Sequence, residues 1–294
     1  MPGKNTQPAK DSVAAAIDIL YFPPARRSGA APQADPPCHE PIEPAITLKE
    51  ESGLHYVFVT QCKRWSCDRR IYCEDTHLDD ILRYTHPYPE HFIGIGAYNP
   101  LDIGDSVHDI ESGVKHHGFR GIYVHPGSFG IPLSDRRMYP LYVKAMEWRV
   151  PVILDIRPLA GDAHKPRVAE AAQVAGDFPE LPLVLAQAPW TVGEILPLLE
   201  DCANVYLCFD SEALTSANGR EIANSSQGQS RCMWGSNGLP WKEALASVLQ
   251  AHPFHAAAIM RDNAAHLFRL DHLRKRKPRN FVESEEALPR IVAE

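Results

Sequence analysis

The sequence predicts a distorted (β/α)8 barrel in a single domain, and three observations support this. Short apolar runs typical of strands alternate with amphipathic segments typical of helices over most of the chain. Such alternation is typical of a parallel sheet whose strands are connected by helices. About eight strands can be counted, and 294 residues suit a barrel of that size. A doubly wound open sheet is the alternative, but no glycine-rich phosphate loop follows its first strand.

Each predicted element rests on an apolar run or an amphipathic segment. The predicted strands are 16–20, 56–60, 92–98, 121–125, 152–156, 183–186, 205–209 and 232–235. The predicted helices are 78–85, 106–117, 139–149, 167–175, 191–199 and 241–251. The proline-rich segment 21–41 is predicted to be a long loop, because its prolines disfavour both helix and strand. We expect a disordered segment 1–13, a barrel domain 14–272 and a tail 273–294.

Composition and charge favour a soluble enzyme with a small-molecule substrate. The net charge of -7 argues against nucleic-acid binding, and the basic run 274–279 is interpreted as a solvated tail. No apolar stretch approaches the roughly 20 residues of a membrane span, and the first residues have no signal-peptide core. We therefore expect a cytoplasmic protein with neither a nucleic-acid nor a membrane partner. A homodimer is left open.

Seven cysteines, without an export signal, indicate free thiols. The segment CKRWSCDRRIYC contains Cys62, Cys67 and Cys73, and His77 follows it. Only the first two cysteines have the spacing of a zinc hook, and a second hook would need Cys38. Free thiols are therefore the favoured interpretation of this segment.

Polar side chains follow several of the predicted strands, where a barrel enzyme carries its reactive groups. The segment PVILDIRP ends a buried strand with Asp155 and Arg157, which share a face at this spacing. We predict that Asp155 is a general acid or base and that Arg157 is its partner or binds a substrate carboxylate. His125 is a third catalytic candidate, although a structural role fits it equally well. An ion pair that closes the barrel mouth is the structural alternative for Asp155 and Arg157.

Further residues near strand ends are expected to bind the substrate. Aromatic side chains are common in pocket walls, and amides orient ligands. The expected substrate-binding residues are Tyr21, Phe22, Gln187, Trp190, Trp234 and Asn237. Tyr21 and Phe22 could equally well plug the barrel.

Five segments carry a resemblance to a known family. They are GFRGIYVHP, YPLYVKAMEWRVPVILDIRP, FPELPLVLAQAP, RCMWGSNGLPW and IMRDNAAHLFRL, and YPEHFIGIGAYNP adds a sixth. In order and spacing they resemble the amidohydrolase-related group, a branch that contains metal-dependent hydrolases and aromatic-acid decarboxylases. The resemblance covers roughly residues 15 to 270. It implies a distorted barrel with its site at the carboxyl-terminal mouth.

The family's metal ligands are substituted in this sequence. The resemblance places Leu20, Phe22, Asp155, Gln187 and Asn237 at positions where the family has ligands. Leucine and phenylalanine do not ligate metals, and amides bind divalent transition metals weakly. One carboxylate does not hold a catalytic zinc. We therefore expect no metal and no other cofactor.

Two functions fit this sequence. The first is a metal-independent hydrolase or lyase that acts on a small carboxylated, lactone or amide substrate by acid–base catalysis. The second is a catalytically inactive barrel that binds a ligand or serves as a scaffold. An open polar cavity at the mouth would favour the enzyme, whereas a mouth filled by Tyr21, Phe22 and the loop after them would favour the scaffold.

Overall fold

The computed structural model describes residues 16–22, 42–65, 73–158, 164–238 and 240–270. Its strands are β1 (Ala16–Tyr21), β2 (Leu54–Thr60), β3 (Lys63–Trp65), β4 (Cys73–Asp75), β5 (Phe92–Ala97), β6 (Ile122–Val124), β7 (Val152–Asp155), β8 (Leu183–Ala186), β9 (Val205–Phe209) and β10 (Cys232–Trp234). All eight strands that the sequence predicts are present, with ends shifted by a few residues at most.

Eight of these strands form one parallel sheet in the order β1-β2-β5-β6-β7-β8-β9-β10. Its two end strands meet, because the Asn237 backbone N–H donates to the Leu20 carbonyl at 2.9 Å. The sheet is thus a nearly closed barrel, which confirms the predicted (β/α)8 architecture. The remaining two strands, β3 and β4, form an antiparallel hairpin beside it.

Helices connect the strands of the barrel and cover its outer surface. They are α1 (Glu43–Glu51), α2 (Leu78–Thr85), α3 (Ile103–His116), α4 (Tyr139–Trp148), α5 (Val168–Asp177), α6 (Val192–Asp201), α7 (Ser211–Thr215), α8 (Ala217–Asn224), α9 (Ser226–Arg231), α10 (Trp241–Ala251) and α11 (Asn263–Leu267). The six predicted helices are confirmed as α2 to α6 and α10. Local capping explains where some begin: in α6, Glu194 accepts from both the backbone N–H and the hydroxyl of Thr191.

The core has two layers, because successive residues of a strand face opposite sides of the sheet. Tyr123, Ile153, Val184 and Met233 belong to the cluster that fills the barrel. Their strand neighbours, such as Leu154, belong to the larger cluster between sheet and helices. This alternation decides which residues at the strand ends can reach the mouth.

Several elements were not predicted from the sequence. Helix α1 begins one residue before Pro44, and proline is tolerated in a first helical turn. The helices α7 to α9 are short and lie between β9 and β10. The expected disordered segment 1–13 and tail 273–294 lie outside the described residues, as does most of the predicted loop 21–41. No helix in the described part of the chain has the length and apolarity of a membrane span.

Candidate active site at the barrel mouth

Strands β6 and β7 bring three polar side chains together at the mouth, the carboxyl-terminal end of the barrel. Val124 pairs with Leu154, so the next residues, His125 and Asp155, lie side by side. Tyr123 is two residues before His125 and therefore faces the same interior. All three polar side chains are fully buried.

Asp155 is held by hydrogen bonds on both carboxylate oxygens. The Tyr123 hydroxyl donates to Oδ2 at 2.8 Å, and Arg157 Nη2 donates to the same oxygen at 2.6 Å. Arg157 Nε lies 3.1 Å from Oδ1 and 3.0 Å from Oδ2. The Arg157 side chain is 18% exposed, whereas that of Asp155 is 0% exposed. The pair is therefore a buried ion pair with one face toward the mouth.

Opposing influences set the proton affinity of this carboxylate. Burial raises the pKa of Asp155, but the charges of Arg157 and Arg64 and the hydrogen bonds from Arg157 outweigh burial, so the pKa lies below its ordinary value. Burial raises the pKa of the Tyr123 phenol well above its ordinary value, and the nearby Asp155 charge raises it further. Asp155 is thus ionised and Tyr123 protonated at neutral pH.

A second guanidinium group, that of Arg64 in β3, lies near the pair. Its Cζ atom lies 4.9 Å from the centre of the Phe22 ring, and its Nε donates to the Cys62 sulfur at 3.0 Å. The Phe22 ring in turn contacts Tyr123 edge-on, with centroids 5.2 Å apart. The charge of Arg64 contributes to the lowered pKa of Asp155. Two guanidinium groups, those of Arg157 and Arg64, therefore lie near the Asp155 carboxylate at this end of the barrel.

The His125 ring is fully engaged with the backbone. Its Nδ1 accepts from the Ser128 N–H at 3.1 Å, so the ring proton lies on Nε2, which is 3.0 Å from the Arg157 carbonyl oxygen. His125 thereby fixes the chain that carries Arg157. This geometry favours the structural role over the catalytic one.

Gln187 follows β8, the neighbour of β7, and Asn237 follows β10; both are in the left-handed backbone conformation, with φ of 55° and 53°. Asp155 pairs with Ala186, so Gln187 follows directly beside it. Gln187 Oε1 accepts from the Asp210 N–H at 3.4 Å, and its Nε2 is buried with no partner among the described residues. Gln187 thus carries an unused donor near the carboxylate.

Three expected pocket residues do not face the barrel interior. Trp234 follows Met233 in β10 and is fully buried in the outer layer, where its indole N–H donates to Ser211 Oγ at 3.0 Å. Tyr21 packs against Trp241 with ring centroids 5.3 Å apart. The expectation that Trp234 and Tyr21 line the pocket is corrected here: strand alternation turns Trp234 outward, and a register irregularity in β1 turns Tyr21 outward. Trp190 also packs against the outer layer, and its indole donates to the Pro166 carbonyl at 3.4 Å.

Sequence reasoning missed Tyr123 and Arg64 as members of the site. For Tyr123 a signal was available, since it lies two residues before His125 and shares its face. For Arg64 no periodic signal exists, because a short hairpin outside the barrel positions it. The cysteine segment is only partly described: Cys62 is buried beside Arg64, whereas Cys67 and Cys38 lie outside the described residues.

The residues at the family's ligand positions do not fit a catalytic divalent metal. Leu20 and Phe22 pack in the interior apolar cluster and have no side-chain atom that could ligate a metal. Both oxygens of Asp155 are occupied by Arg157 and Tyr123, and Gln187 and Asn237 offer amides only. Within the described part of the chain, no three His, Cys, Asp or Glu side chains are grouped as a metal would require.

Known proteins with a similar fold are distant in sequence. An uncharacterised TIM-barrel protein from Bordetella bronchiseptica is 22% identical with a TM-score of 0.64, over 78% of this chain and 83% of that one. The structure of 5-carboxyvanillate decarboxylase from Novosphingobium aromaticivorans, in complex with manganese, is 16% identical with a TM-score of 0.57, over 77% of this chain and 80% of that one. A probable 2-pyrone-4,6-dicarboxylic acid hydrolase from Acinetobacter baumannii, with bound citric acid, is 12% identical with a TM-score of 0.60, over 86% of this chain and 99% of that one. No curated protein sequence matches the chain.

With polar groups gathered at its carboxyl-terminal mouth, this barrel has the architecture of the (β/α)8 class. Within that class the family is shown by its sequence model: the model of the amidohydrolase family matches residues 54–270, which is most of the chain. The chain belongs to the amidohydrolase family. The resemblance seen in the sequence is thereby confirmed.

Proposed function

We propose that this chain is a hydrolase or lyase that acts on a small organic substrate bearing a carboxylate, at the barrel mouth and without a resident metal. The observation that carries the proposal is the buried Asp155 carboxylate at the strand ends, bonded to the partly exposed guanidinium group of Arg157. Because Arg157 keeps an exposed face toward the mouth, its guanidinium group can also contact an anionic group of a substrate. Guanidinium groups match the planar geometry of a carboxylate.

The names of similar proteins support a carboxylated substrate. One is a 5-carboxyvanillate decarboxylase, and another is a probable 2-pyrone-4,6-dicarboxylic acid hydrolase whose structure holds citric acid. The metal of such relatives is not part of the proposal, because the donor set at the mouth of this chain does not suit one. Cleavage of a lactone or amide and loss of carbon dioxide are both compatible with the site.

The proposed role of Asp155 is a general base that the substrate activates. A substrate carboxylate that binds Arg157 competes with Asp155 for the same N–H groups. Asp155 then keeps the effect of burial but loses part of its ion pair, so its pKa rises and it accepts a proton more readily. Tyr123 keeps its own proton and holds Asp155 Oδ2 in place, while the unused Gln187 Nε2–H donates to a substrate oxygen.

A screen with a matched pair of variants tests this proposal. Protein purified with a chelator is assayed for carbon dioxide release from aromatic carboxylic acids and for acid release from carboxylated lactones and amides. We expect Arg157→Lys to lower kcat/KM by about 100-fold or more, because lysine keeps the charge but loses the paired geometry. Arg137→Lys is the control, since Arg137 forms a similar bidentate pair with Asp135 but is 40% exposed.

Calorimetry in buffers of different ionisation enthalpy tests the role of Asp155. Binding of a carboxylated ligand is expected to take up protons, and Asp155→Asn is expected to abolish that uptake. Activity that appears only after metal is added would overturn the metal-independent proposal. Binding that depends on Arg157, without turnover of any compound, would support the inactive ligand-binding alternative instead.

A further inference from the structure

A cleft lies at the end of the barrel opposite the mouth, where β6 and β7 begin. Its volume is about 310 Å³, and turns that follow α3, α4 and α11 form it. Arg120, Arg149 and Arg269 are among the residues that line it. Arg149 and Arg269 are exposed, and Arg120 is partly buried. The mouth and this cleft are at opposite ends of the same strands.

The cleft concentrates positive charge on a protein whose net charge is -7. Among the described residues that line it, none is an aspartate or a glutamate. Burial lowers the pKa of Arg120, and the charge of nearby Arg269 lowers it further. Arg149 and Arg269 are exposed, so their guanidinium groups are accessible to an anion in the cleft.

Apolar side chains complete the cleft. Phe119, Val150 and Phe268 supply apolar surface, and Trp148 also lines the cleft. A flat apolar molecule would therefore find hydrocarbon and aromatic surface beside the arginines.

We propose that this cleft binds a small organic anion, a carboxylate carried on a flat apolar body. The arginines would hold the carboxylate, and the aromatic and aliphatic side chains, with Trp148 among them, would contact the body. A competing explanation is that Arg149 and Arg269, which follow α4 and α11, only compensate the negative ends of those helix dipoles.

The Trp148 indole N–H resonance reports on this cleft separately from the mouth. The chain has five tryptophans, and the spectrum of Trp148→Phe identifies the resonance of Trp148. We expect benzoate at millimolar concentrations to shift this resonance in a saturable way. The neutral isostere benzamide and inorganic phosphate, which has no apolar body, are expected to shift it far less.

Variants at both ends of the barrel separate the two explanations. Arg269→Gln is expected to weaken the benzoate titration of Trp148 by about tenfold or more. The exposed Arg220→Gln and the mouth variant Arg157→Lys should leave the titration unchanged. A resonance that benzoate does not move, or that benzamide moves equally, overturns the proposal. An unchanged titration in Arg269→Gln with a lower melting temperature overturns it in favour of the helix-dipole explanation.

Discussion

Two of the ion pairs among the described residues join an aspartate to the arginine two residues later, with bidentate geometry but in very different surroundings. Asp155 and Arg157 lie at the mouth with the carboxylate fully buried, whereas Asp135 and Arg137 are 19% and 40% exposed. Removing one partner of a buried pair leaves an uncompensated charge in the interior, but water replaces a lost partner at the surface. The two pairs therefore make a controlled comparison.

We expect Asp155→Asn to lower the free energy of unfolding by about 3–5 kcal/mol, because Arg157 loses its carboxylate while remaining largely buried. Asp135→Asn should cost about 1 kcal/mol or less, since that pair is exposed to solvent. Urea unfolding at neutral pH measures both values. Equal effects of the two substitutions would contradict a special role for burial at the mouth.

The pH dependence of the same comparison follows from the lowered pKa of Asp155. A carboxylate whose pKa is lower in the folded state stabilises the fold above its ordinary pKa of 3.8, and that stability is lost as the pH falls through the lowered value. We therefore expect the stability difference between wild type and Asp155→Asn to be constant near neutrality and to shrink below pH 3.8. Asp135, whose pKa is lowered to about 2, is present in both proteins and cancels from the difference.

At the scale of elements, the sequence predicts the barrel strands and the long helices well because both have regular apolar patterns. It misses α8 and α9 because these short helices lack such a pattern and begin instead at serine caps. Ser216 accepts from the Gly219 N–H, and Ser225 accepts from the Gly228 N–H, each at 3.0 Å. Local capping of this kind reveals a helix start only when the following turns are already known.

The direction of a side chain at a strand end was harder to predict than the strand itself. In β1 the register shifts between Asp18 and Tyr21, and Ile19 and Leu20 both pack into the interior. This irregularity turns Tyr21 outward and returns Phe22 to the interior cluster. Phe22 packs against the interior cluster and Asp155 and Arg157 lie at the end of β7, as strand ends in the sequence indicate, whereas the position of Arg64 depends on a hairpin that no periodicity predicts.

Helix α3 provides a test of packing with an internal control. A Cβ atom on Gly113 would lie 2.5 Å from the Phe119 ring, whereas one on Gly104 would meet nothing within 4 Å. We expect Gly113→Ala to lower the free energy of unfolding by about 1–3 kcal/mol through overpacking. Gly104→Ala in the same helix should be neutral or stabilise by up to about 1 kcal/mol. Thermal unfolding of both variants measures the contrast, and equal melting temperatures would argue against close packing of α3 on Phe119.

At the scale of the whole molecule, the barrel closes through a buried carboxylate between its first and last strands. Asp18 Oδ1 accepts from the Ser236 N–H at 2.8 Å, and its Oδ2 accepts from the Trp241 indole at 2.8 Å. Burial raises the pKa of Asp18 above its ordinary value, although its hydrogen bonds oppose the rise. Gly235 allows the close approach, since a Cβ there would lie 2.8 Å from Leu20 Cβ. At the end of β1, Asp18 thus serves to close the barrel and Leu20 packs in the apolar interior.

The use of β1 for closure and apolar packing leaves it without metal ligands at the mouth, which affects the expected metal content of the protein. A catalytic metal at the mouth would need ligands from several strand ends, but β1 offers Leu20 and Phe22, and Asp155 is already bonded to Arg157 and Tyr123. We expect the purified protein to contain far less than one equivalent of zinc, manganese or iron by elemental analysis. Chelator treatment should leave its melting temperature unchanged, because no bound ion contributes to folding. One equivalent of metal at the mouth, seen by elemental analysis together with anomalous scattering, would contradict this prediction and make metal-dependent decarboxylation the favoured chemistry.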